Sequence, residues 1–344
     1  MSDENILKNG VLSRRSVIAG AAGFAIGAPL AAGLGSQASL AQSGPTKLKL
    51  GWSGTGICLI SVPVAAEKGF FTKHGLDVEI VKFGSNFDGS LEAVASGKID
   101  ATVNFILRFL KPLEQGINIR FTGALHGGCI RVISAVDSQE TDYKSLKGKS
   151  IGVVDMASAG KNFLAVQLFK AGINPENEVN WRVYPVDLLG EAIRKGEIQA
   201  AVDADPGIFL VLKNNEDKLH EIGGLLTTDP YKDLSCCGIA VRKDFAENNK
   251  PASAALTRAL LDSADWVTKN PDEAAQIFTA YSPIAKSTLG EIIRSHTHQH
   301  HFGSGQRLRD EIALYAGDLR SVGIIRPRTD PKALAERVVV DVLT

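Results

Sequence analysis

A short segment that occurs twice limits what this chain can fold into. Residues 92–104 read EAVASGKIDATVN and residues 191–203 read EAIRKGEIQAAVD, at an offset of 99 residues. Each copy predicts a helix that stops at a glycine, followed by a short buried strand that ends in a polar residue, Asn104 or Asp203. A single repeat of this length indicates two similar α/β lobes, because a solenoid needs more and shorter repeats.

The segments around the repeats predict how the two lobes are connected. Strands and helices alternate from Lys47 onward, which predicts mostly parallel sheets. Two polar stretches, 135–149 and 226–245, are the expected crossings between the lobes, and several helices follow the second crossing. We therefore predict four parts: an export signal at 1–41, the first part of lobe one at 47–134, lobe two at 135–232, and a return to lobe one with C-terminal helices at 233–344.

The N-terminus has the pattern of an export signal. Arg14 and Arg15 precede a long uncharged run that is rich in glycine and alanine, and Ser39-Leu40-Ala41 ends the run as a small-x-small cleavage site. The paired arginines are typical of the twin-arginine type, which carries folded cargo. A transmembrane anchor is the alternative, but the glycine content and the cleavage site argue against it. We expect cleavage near Ala41 and a periplasmic protein.

Composition excludes some partners of the mature chain. Formal net charge is zero and the basic residues are dispersed, so no nucleic-acid partner is expected. An apolar content of 44% fits a globular chain with a core of its own. We expect a monomer that carries no cofactor.

Residues 66–79, AEKGFFTKHGLDVE, resemble the exported substrate-binding proteins of ABC importers for sulfonates, taurine, nitrate and thiamine precursors. The segments SGKIDAT, LKGKSIGV and GEIQAAVD resemble the same family, and the likeness runs from Lys47 to the C-terminus. The resemblance implies a type II periplasmic binding fold, in which two lobes close on a small ligand and deliver it to a permease in the inner membrane. It implies no particular ligand; an anionic or polar organic molecule is expected.

Ligands of open α/β sheets bind outside the carboxyl ends of the strands, and this rule selects candidate residues without the family. The loop after the first strand and its counterpart in lobe two offer small polar residues and helix N-termini. The next pair of strand ends adds a polar residue in each lobe, an aromatic wall and an arginine that could clamp an anion. The candidates are Ser53, Thr55, Gly56, Asn104, Phe105, Arg108, Ser158, Gly160 and Asp203. Plain turns, a core position for Phe105 and a solvated Arg108 are the alternatives.

All four cysteines and one histidine fall in loops that should border the same cleft: Cys58, His126, Cys129, Cys236 and Cys237. Three interpretations stay open. The thiols could simply line an apolar part of the pocket, or they could form disulfides in an oxidising compartment. Cysteine and histidine could also bind a soft metal or a metal complex, although the spacing matches no closed zinc motif. A metal-binding protein is thus the alternative function.

The segment 296–302, HTHQHHF, contains four of the seven histidines. His296 and His300 would share a helix face and could bind metal, but a solvated helix end is the favoured interpretation.

No arrangement typical of an enzyme occurs in the chain. GxSxG, HExxH and dinucleotide fingerprints are all absent from the sequence. The fungal thiamine-pyrimidine synthases share the expected fold and use a cysteine-rich motif with iron, which LSCCGI resembles only in its paired cysteines. We therefore predict a binding protein without catalytic residues.

Overall fold

The structure is a computed structural model that describes residues 44–84, 86–296 and 303–344. The predicted export signal and residues 297–302 of the histidine-rich segment lie outside the described residues. Within the described ranges, no helix combines the length and the apolar character that crossing a membrane requires.

The described residues form strands and helices that alternate through most of the chain. The strands are β1 Thr46–Trp52, β2 Leu76–Lys82, β3 Ala101–Phe105, β4 Ile119–Leu125, β5 Ile130–Ala135, β6 Ser150–Val153, β7 Asn180–Val183, β8 Ala200–Ala204, β9 Leu219–Gly224 and β10 Cys237–Arg242. The helices are α1 Ser61–Glu67, α2 Phe70–Lys73, α3 Phe87–Ala95, α4 Ile106–Glu114, α5 Ala159–Lys170, α6 Leu189–Arg194, α7 Gly207–Lys213, α8 Lys243–Asn248, α9 Lys250–Lys269, α10 Pro271–Phe278, α11 Lys286–Ser295, α12 Gly305–Ser321 and α13 Pro331–Val338.

The strands form two sheets with the same topology. The first sheet has the order β2-β1-β3-β10-β4, and the second has the order β7-β6-β8-β5-β9. The fourth place in each sheet is taken by a strand that directly follows a crossing from the other sheet, β10 or β5. The α/β prediction and the two-fold repeat of the architecture are thus confirmed, and we call the two sheets with their helices the first and second lobes.

Both sheets are mostly parallel, as predicted, and each contains one antiparallel strand. β1 pairs in parallel with β2 and β3, whereas β10 runs antiparallel to both β3 and β4. β6 and β5 have the corresponding parallel and antiparallel partners in the second sheet. The antiparallel strands arise from the crossings, since a chain that returns directly between two lobes enters the sheet from the opposite end.

The predicted boundary between the first two parts needs a shift of one strand. β5, which the sequence assigned to lobe one up to residue 134, pairs with β8 and β9 in the second sheet. The first crossing therefore lies at residues 126–129, between β4 and β5, rather than in the polar stretch 135–149. The polar stretch 135–149 is an exposed loop within the second lobe, whereas the actual crossing is short and buried.

The two copies of the sequence repeat fold in the same way. α3 and α6 each end before a glycine in the left-handed region, with φ of 77° at Gly97 and 71° at Gly196. A residue with a Cβ atom is strained at such a φ, which explains a glycine at both helix ends. The strands that follow, β3 and β8, hold equivalent central places in their sheets.

The C-terminal helices cover the first lobe and reach the second. α9 packs on α1 and β4, and α12 packs on both α4 of the first lobe and α5 of the second. Leu256, Leu260, Leu308 and Ile312 of these helices are fully buried. The helices thus hold the first lobe's core in place next to the crossings.

Candidate functional site

A cleft of about 390 Å3 opens where strand ends of the two sheets meet. Its walls come from residues that follow β1 and β3 in the first lobe and β6 and β8 in the second. These are the carboxyl ends of the strands, where ligands of open α/β sheets bind.

Most of the residues selected from the sequence line this cleft. They are Ser53, Thr55, Gly56, Cys58, Asn104, Phe105, Arg108, Ser158, Gly160 and Asp203. Sequence reasoning missed a second group of lining residues, which includes Phe83, Asn86, Phe87, Ser90 and Asp205. Phe87 and Ser90 belong to the beginning of α3. This helix faces the cleft although it follows β2, an edge strand of the first sheet.

The loops that follow the equivalent strands β1 and β6 use a serine in a similar way. The hydroxyl of Ser53 accepts a hydrogen bond from the backbone N–H of Gly56 at 3.1 Å. The hydroxyl of Ser158 accepts one from the backbone N–H of Lys161 at 3.1 Å and so caps α5. Both loops are thus held by their own hydrogen bonds at the edge of the cleft.

Gly160 allows α5 to approach the second sheet closely. A Cβ atom at this position would lie 3.2 Å from a methyl group of Val202 and 3.3 Å from the Cα atom of Asp203. Its contribution to the cleft is therefore the close packing of helix against strand.

Asn104 and Asp203, equivalent positions of the sequence repeat, both line the cleft. The Asn104 side-chain oxygen accepts a hydrogen bond from the backbone N–H of Phe105 at 2.8 Å, which leaves its NH2 group as the donor for other contacts. Burial and the charges of Asp205 and Cys58 outweigh a hydrogen bond from the backbone of Ala204, and together they raise the pKa of the Asp203 carboxyl to about 7. Asp203 therefore changes its charge near neutral pH.

Arg108 forms an ion pair between the two lobes at the cleft. The alternative interpretation from the sequence, a solvated Arg108, is therefore wrong. Its guanidinium lies 2.7 Å from the carboxylate of Asp155 in the second lobe and 3.8 Å from that of Asp88 in the first. The same guanidinium lies 4.5 Å from the centre of the Phe87 ring. The charge of Arg108 is thus paired with a carboxylate of the second lobe.

The prediction that four of the candidates border the cleft is wrong. His126, Cys129, Cys236 and Cys237 are at most 4% exposed and are not among the residues that line it. Both crossings run behind the cleft floor, where the backbone N–H of Cys236 donates to the carbonyl of His126 at 2.9 Å. Crossing strands in the middle of both sheets are covered on each side, so their side chains are buried.

These side chains nevertheless meet, and together with Cys58 they form a group that we call the thiol cluster: Cys58, His126, Cys129, Cys236 and Cys237. Ligand atoms of Cys58, His126 and Cys129 lie within 4.8 Å of one another, and so do those of His126, Cys236 and Cys237. The sulfurs of Cys129 and Cys236 are 3.7 Å apart. All four cysteines of the cluster are free thiols.

The four thiols shift one another's pKa values, two of which are lowered and two raised. Hydrogen bonds from Cys129 and Cys237 hold the pKa values of Cys58 and Cys236 well below the usual thiol range. Burial raises the pKa values of Cys129 and Cys237, and their role as donors raises them further. Burial lowers the pKa of His126, but its hydrogen bond with Cys58 and the nearby thiolates outweigh burial and raise it.

A buried polar network adjoins the thiol cluster. His126 stacks on His296 with ring centres 5.6 Å apart, and His296 lies 2.8 Å from the Asp205 carboxylate. Asp205 in turn binds the Arg131 guanidinium through two hydrogen bonds of 3.0 Å. His296 is 4% exposed, so the solvated interpretation of this end of the histidine-rich segment is wrong.

Arg131 completes the network by contacting further partners. Its guanidinium donates to Glu221 at 2.8 Å and to the Ser295 hydroxyl at 3.0 Å. Burial lowers the pKa of Arg131, but the charge of Asp205 and its hydrogen bonds outweigh burial and raise it. Sequence reasoning missed Arg131 and Asp205; each stands two residues from a predicted site residue, which was the available signal.

Comparisons with known proteins agree with this architecture. The model of the NMT1/THI5-like family matches residues 59–274. A Haemophilus influenzae protein named as a thiamine biosynthesis protein is 27% identical over 65% of this chain and 69% of its own length. A Uromyces fabae protein named 4-amino-5-hydroxymethyl-2-methylpyrimidine phosphate synthase is 24% identical over 67% of this chain and 69% of its own.

Solved structures of solute-binding proteins share the fold. The periplasmic aliphatic sulphonate binding protein SsuA of Escherichia coli superimposes with a TM-score of 0.70 at 13% identity, over 85% of this chain and 92% of its own. The periplasmic nitrate-binding protein NrtA of Synechocystis gives a TM-score of 0.69 at 16% identity, over 86% of each chain. The predicted periplasmic binding fold is thereby confirmed.

Proposed function

This chain belongs to the NMT1/THI5-like family, and on that premise we propose that it is a solute-binding receptor of an ABC importer. The receptor captures a small polar organic molecule between its lobes. One observation carries the proposal: a single cleft is lined by the carboxyl ends of β1 and β3 from one lobe and of β6 and β8 from the other. A ligand in contact with both lobes favours their closed arrangement, since it binds that arrangement more tightly.

The charges in the cleft favour a ligand with hydrogen-bond donors. Arg108 is neutralised by Asp155, and the Asp205 carboxylate is neutralised by Arg131. Among the carboxyls of the described residues that line the cleft, Asp203 is the one without an ion pair. Asn104 lies at the equivalent place in the other lobe. An amine, an amidine or an amino-substituted heterocycle offers donors to Asp203, whereas a free sulfonate or nitrate would meet its charge at neutral pH.

Thermal unfolding with a ligand panel tests this proposal. The panel contains amines, aminopyrimidines, sulfonates and nitrate, and a true ligand at 100 times its Kd should stabilise the protein by about 2.7 kcal/mol. We expect the shift from a donor-bearing compound, and we expect Asp203→Asn to abolish it. Asp187→Asn, an exposed carboxyl near the same edge, is the control. No shift with any compound would contradict the receptor function.

Export and delivery are part of the same proposal. Residues 1–41 would direct the folded chain to the periplasm through the twin-arginine route, and the loaded receptor would then dock on an inner-membrane permease as a monomer. Export is tested by expressing the wild-type chain beside a double variant, Arg14→Lys with Arg15→Lys. The variant should stay in the cytoplasm at its full mass. Equal periplasmic amounts of both forms would contradict this part.

A pyrimidine phosphate synthase is the second candidate, and the names of the fungal relatives favour it. Such an enzyme must hold a phosphate group, and the cleft's Arg108 is already paired. The test is growth: cytosolic expression in a yeast strain that lacks its own synthase and requires the pyrimidine. Growth without the pyrimidine would establish this candidate in place of the receptor.

A further inference from the structure

The thiol cluster brings five side chains that can bind a metal to one buried place. Neither a ligand cleft nor an apolar core requires such a group. Its five members come from three separate places: the turn after β1, the first crossing and the second crossing. Their exposed fractions range from 0 to 4%. Burying four thiols and an imidazole at one point concentrates ligands of the kind that thiophilic metals prefer.

The spacing of the sulfurs fits one metal ion. With Zn–S bonds of about 2.3 Å, the ligands of a tetrahedral ion lie about 3.8 Å apart. The sulfurs of Cys129 and Cys236 are 3.7 Å apart, too far for a disulfide bond and near that ligand spacing. An iron–sulfur cluster would need room for its own sulfides between the cysteines, which this contact does not leave.

The neighbours of Cys129 and Cys236 complete the coordination sphere. Cys58 and Cys129 share one triad with His126, and Cys236 and Cys237 share the other, so His126 belongs to both triads. We propose that the thiol cluster is a binding site for one thiophilic metal ion, Zn2+ or Cu+, held by ligands drawn from these two triads where Cys129 and Cys236 meet.

The position of the site defines what the ion would do. It would join the turn after β1 to both crossings, at the floor of the cleft, where Cys58 also lines the cleft wall. A small cavity of about 10 Å3 is also lined by Cys58 and His126. The ion would therefore stabilise the junction between the lobes.

Metal titration of the reduced full chain tests the proposal without any substitution. Co2+ serves as the visible probe, and Zn2+ and Cu+ are added in parallel. We expect one ion per chain by elemental analysis, a thiolate-to-cobalt charge-transfer band that Zn2+ removes, and protection of the thiols from a thiol-specific reagent. Less than a stoichiometric ion with no such band, or an intact mass two hydrogens lighter that reports a disulfide, would overturn the proposal.

Variants separate ligands from neighbours. Cys129→Ser and Cys236→Ser should each weaken Co2+ binding and reduce the charge-transfer band, and His126→Gln should weaken binding as well. His74→Gln is the matched control, because His74 pairs with Asp262 and belongs to neither triad of the cluster. Circular dichroism of each variant establishes that it is folded; an unchanged band in folded Cys129→Ser and Cys236→Ser would overturn the site.

Discussion

Arg108 and Asp155 lie in different lobes, and their charged groups are 2.7 Å apart at the cleft. Arg108 is the third residue of α4 in the first lobe, and Asp155 follows β6 in the second. The two helices behind them are also in contact, since the Asn162 side chain of α5 donates to the carbonyl of Leu107 at 3.2 Å. Direct contacts therefore join the two lobes at the cleft.

Removing this ion pair should favour a more open protein. Asp155→Asn should increase the radius of gyration of the ligand-free protein in small-angle X-ray scattering, more so at low salt, because the pair is partly exposed and screened. The expected loss is about 1 kcal/mol or less, as for other partly exposed pairs. Asp88→Asn is the control, since Asp88 lies 3.8 Å from the same guanidinium but within the first lobe. An equal effect of both variants would contradict a role across the lobes.

Asp203 should make stability depend on pH in a specific direction. Burial raises its pKa to about 7, so the folded state holds a proton that the unfolded state loses at about pH 4. The penalty for ionising Asp203 is absent below pH 4, grows as pH rises to about 7 and stays constant above it. Asp203→Asn should therefore stabilise the protein at pH 8, by about 1–3 kcal/mol, and have little effect at pH 4.

Chemical denaturation at both pH values measures this difference. Asp187→Asn should show no such change between pH 4 and pH 8, because Asp187 is exposed. A stabilisation of the Asp203 variant that is equal at pH 4 and pH 8 would mean that its cause is not ionisation.

Glu114 should contribute stability that acid removes. Its side chain is 1% exposed, and burial alone would raise its pKa. The hydrogen bonds from Arg326 and Thr329, each 2.7 Å, outweigh burial and lower the pKa to about 2. This contribution is complete above about pH 4.5 and is lost as pH falls through about 2.

Glu114→Gln should destabilise the protein at pH 7 by about 1–3 kcal/mol, because it weakens charge-assisted hydrogen bonds in a buried place. The difference from wild type should shrink as pH falls from 4.5 towards 2. Glu336→Gln removes an exposed partner of Arg309 and should change stability by less than about 1 kcal/mol. Equal losses from both substitutions in urea denaturation would contradict the importance of burial.

Asp205 should be the most sensitive carboxylate near the site. Its side chain has no exposed surface, and it neutralises the guanidinium of Arg131. Asp205→Asn leaves Arg131 buried with only part of its compensation, so a loss of about 3–5 kcal/mol is expected. Asp217→Asn, at an exposed carboxylate, is the control for urea denaturation. A loss below 1 kcal/mol would show that Glu221 alone can neutralise Arg131.

The fold and part of the site could be predicted because their signals are local. A glycine that ends a helix and a polar residue that ends a buried strand are properties of neighbouring residues, so the repeat located Asn104 and Asp203 on equivalent strand ends. The loops at Ser53 and Ser158 were found in the same way, from their position after equivalent strands of the two lobes.

Tertiary structure alone decided what the distant side chains do. Cys129 and Cys236 are 107 residues apart, yet the two crossings lie side by side and bring their sulfurs to 3.7 Å. The sequence placed both near the crossings, but which face of a crossing strand is covered depends on the strands and helices packed against it. The pairing of Arg108 with Asp155 and the burial of His296 against Asp205 arise in the same way, because charge compensation depends on distances between segments and not on spacing along the chain.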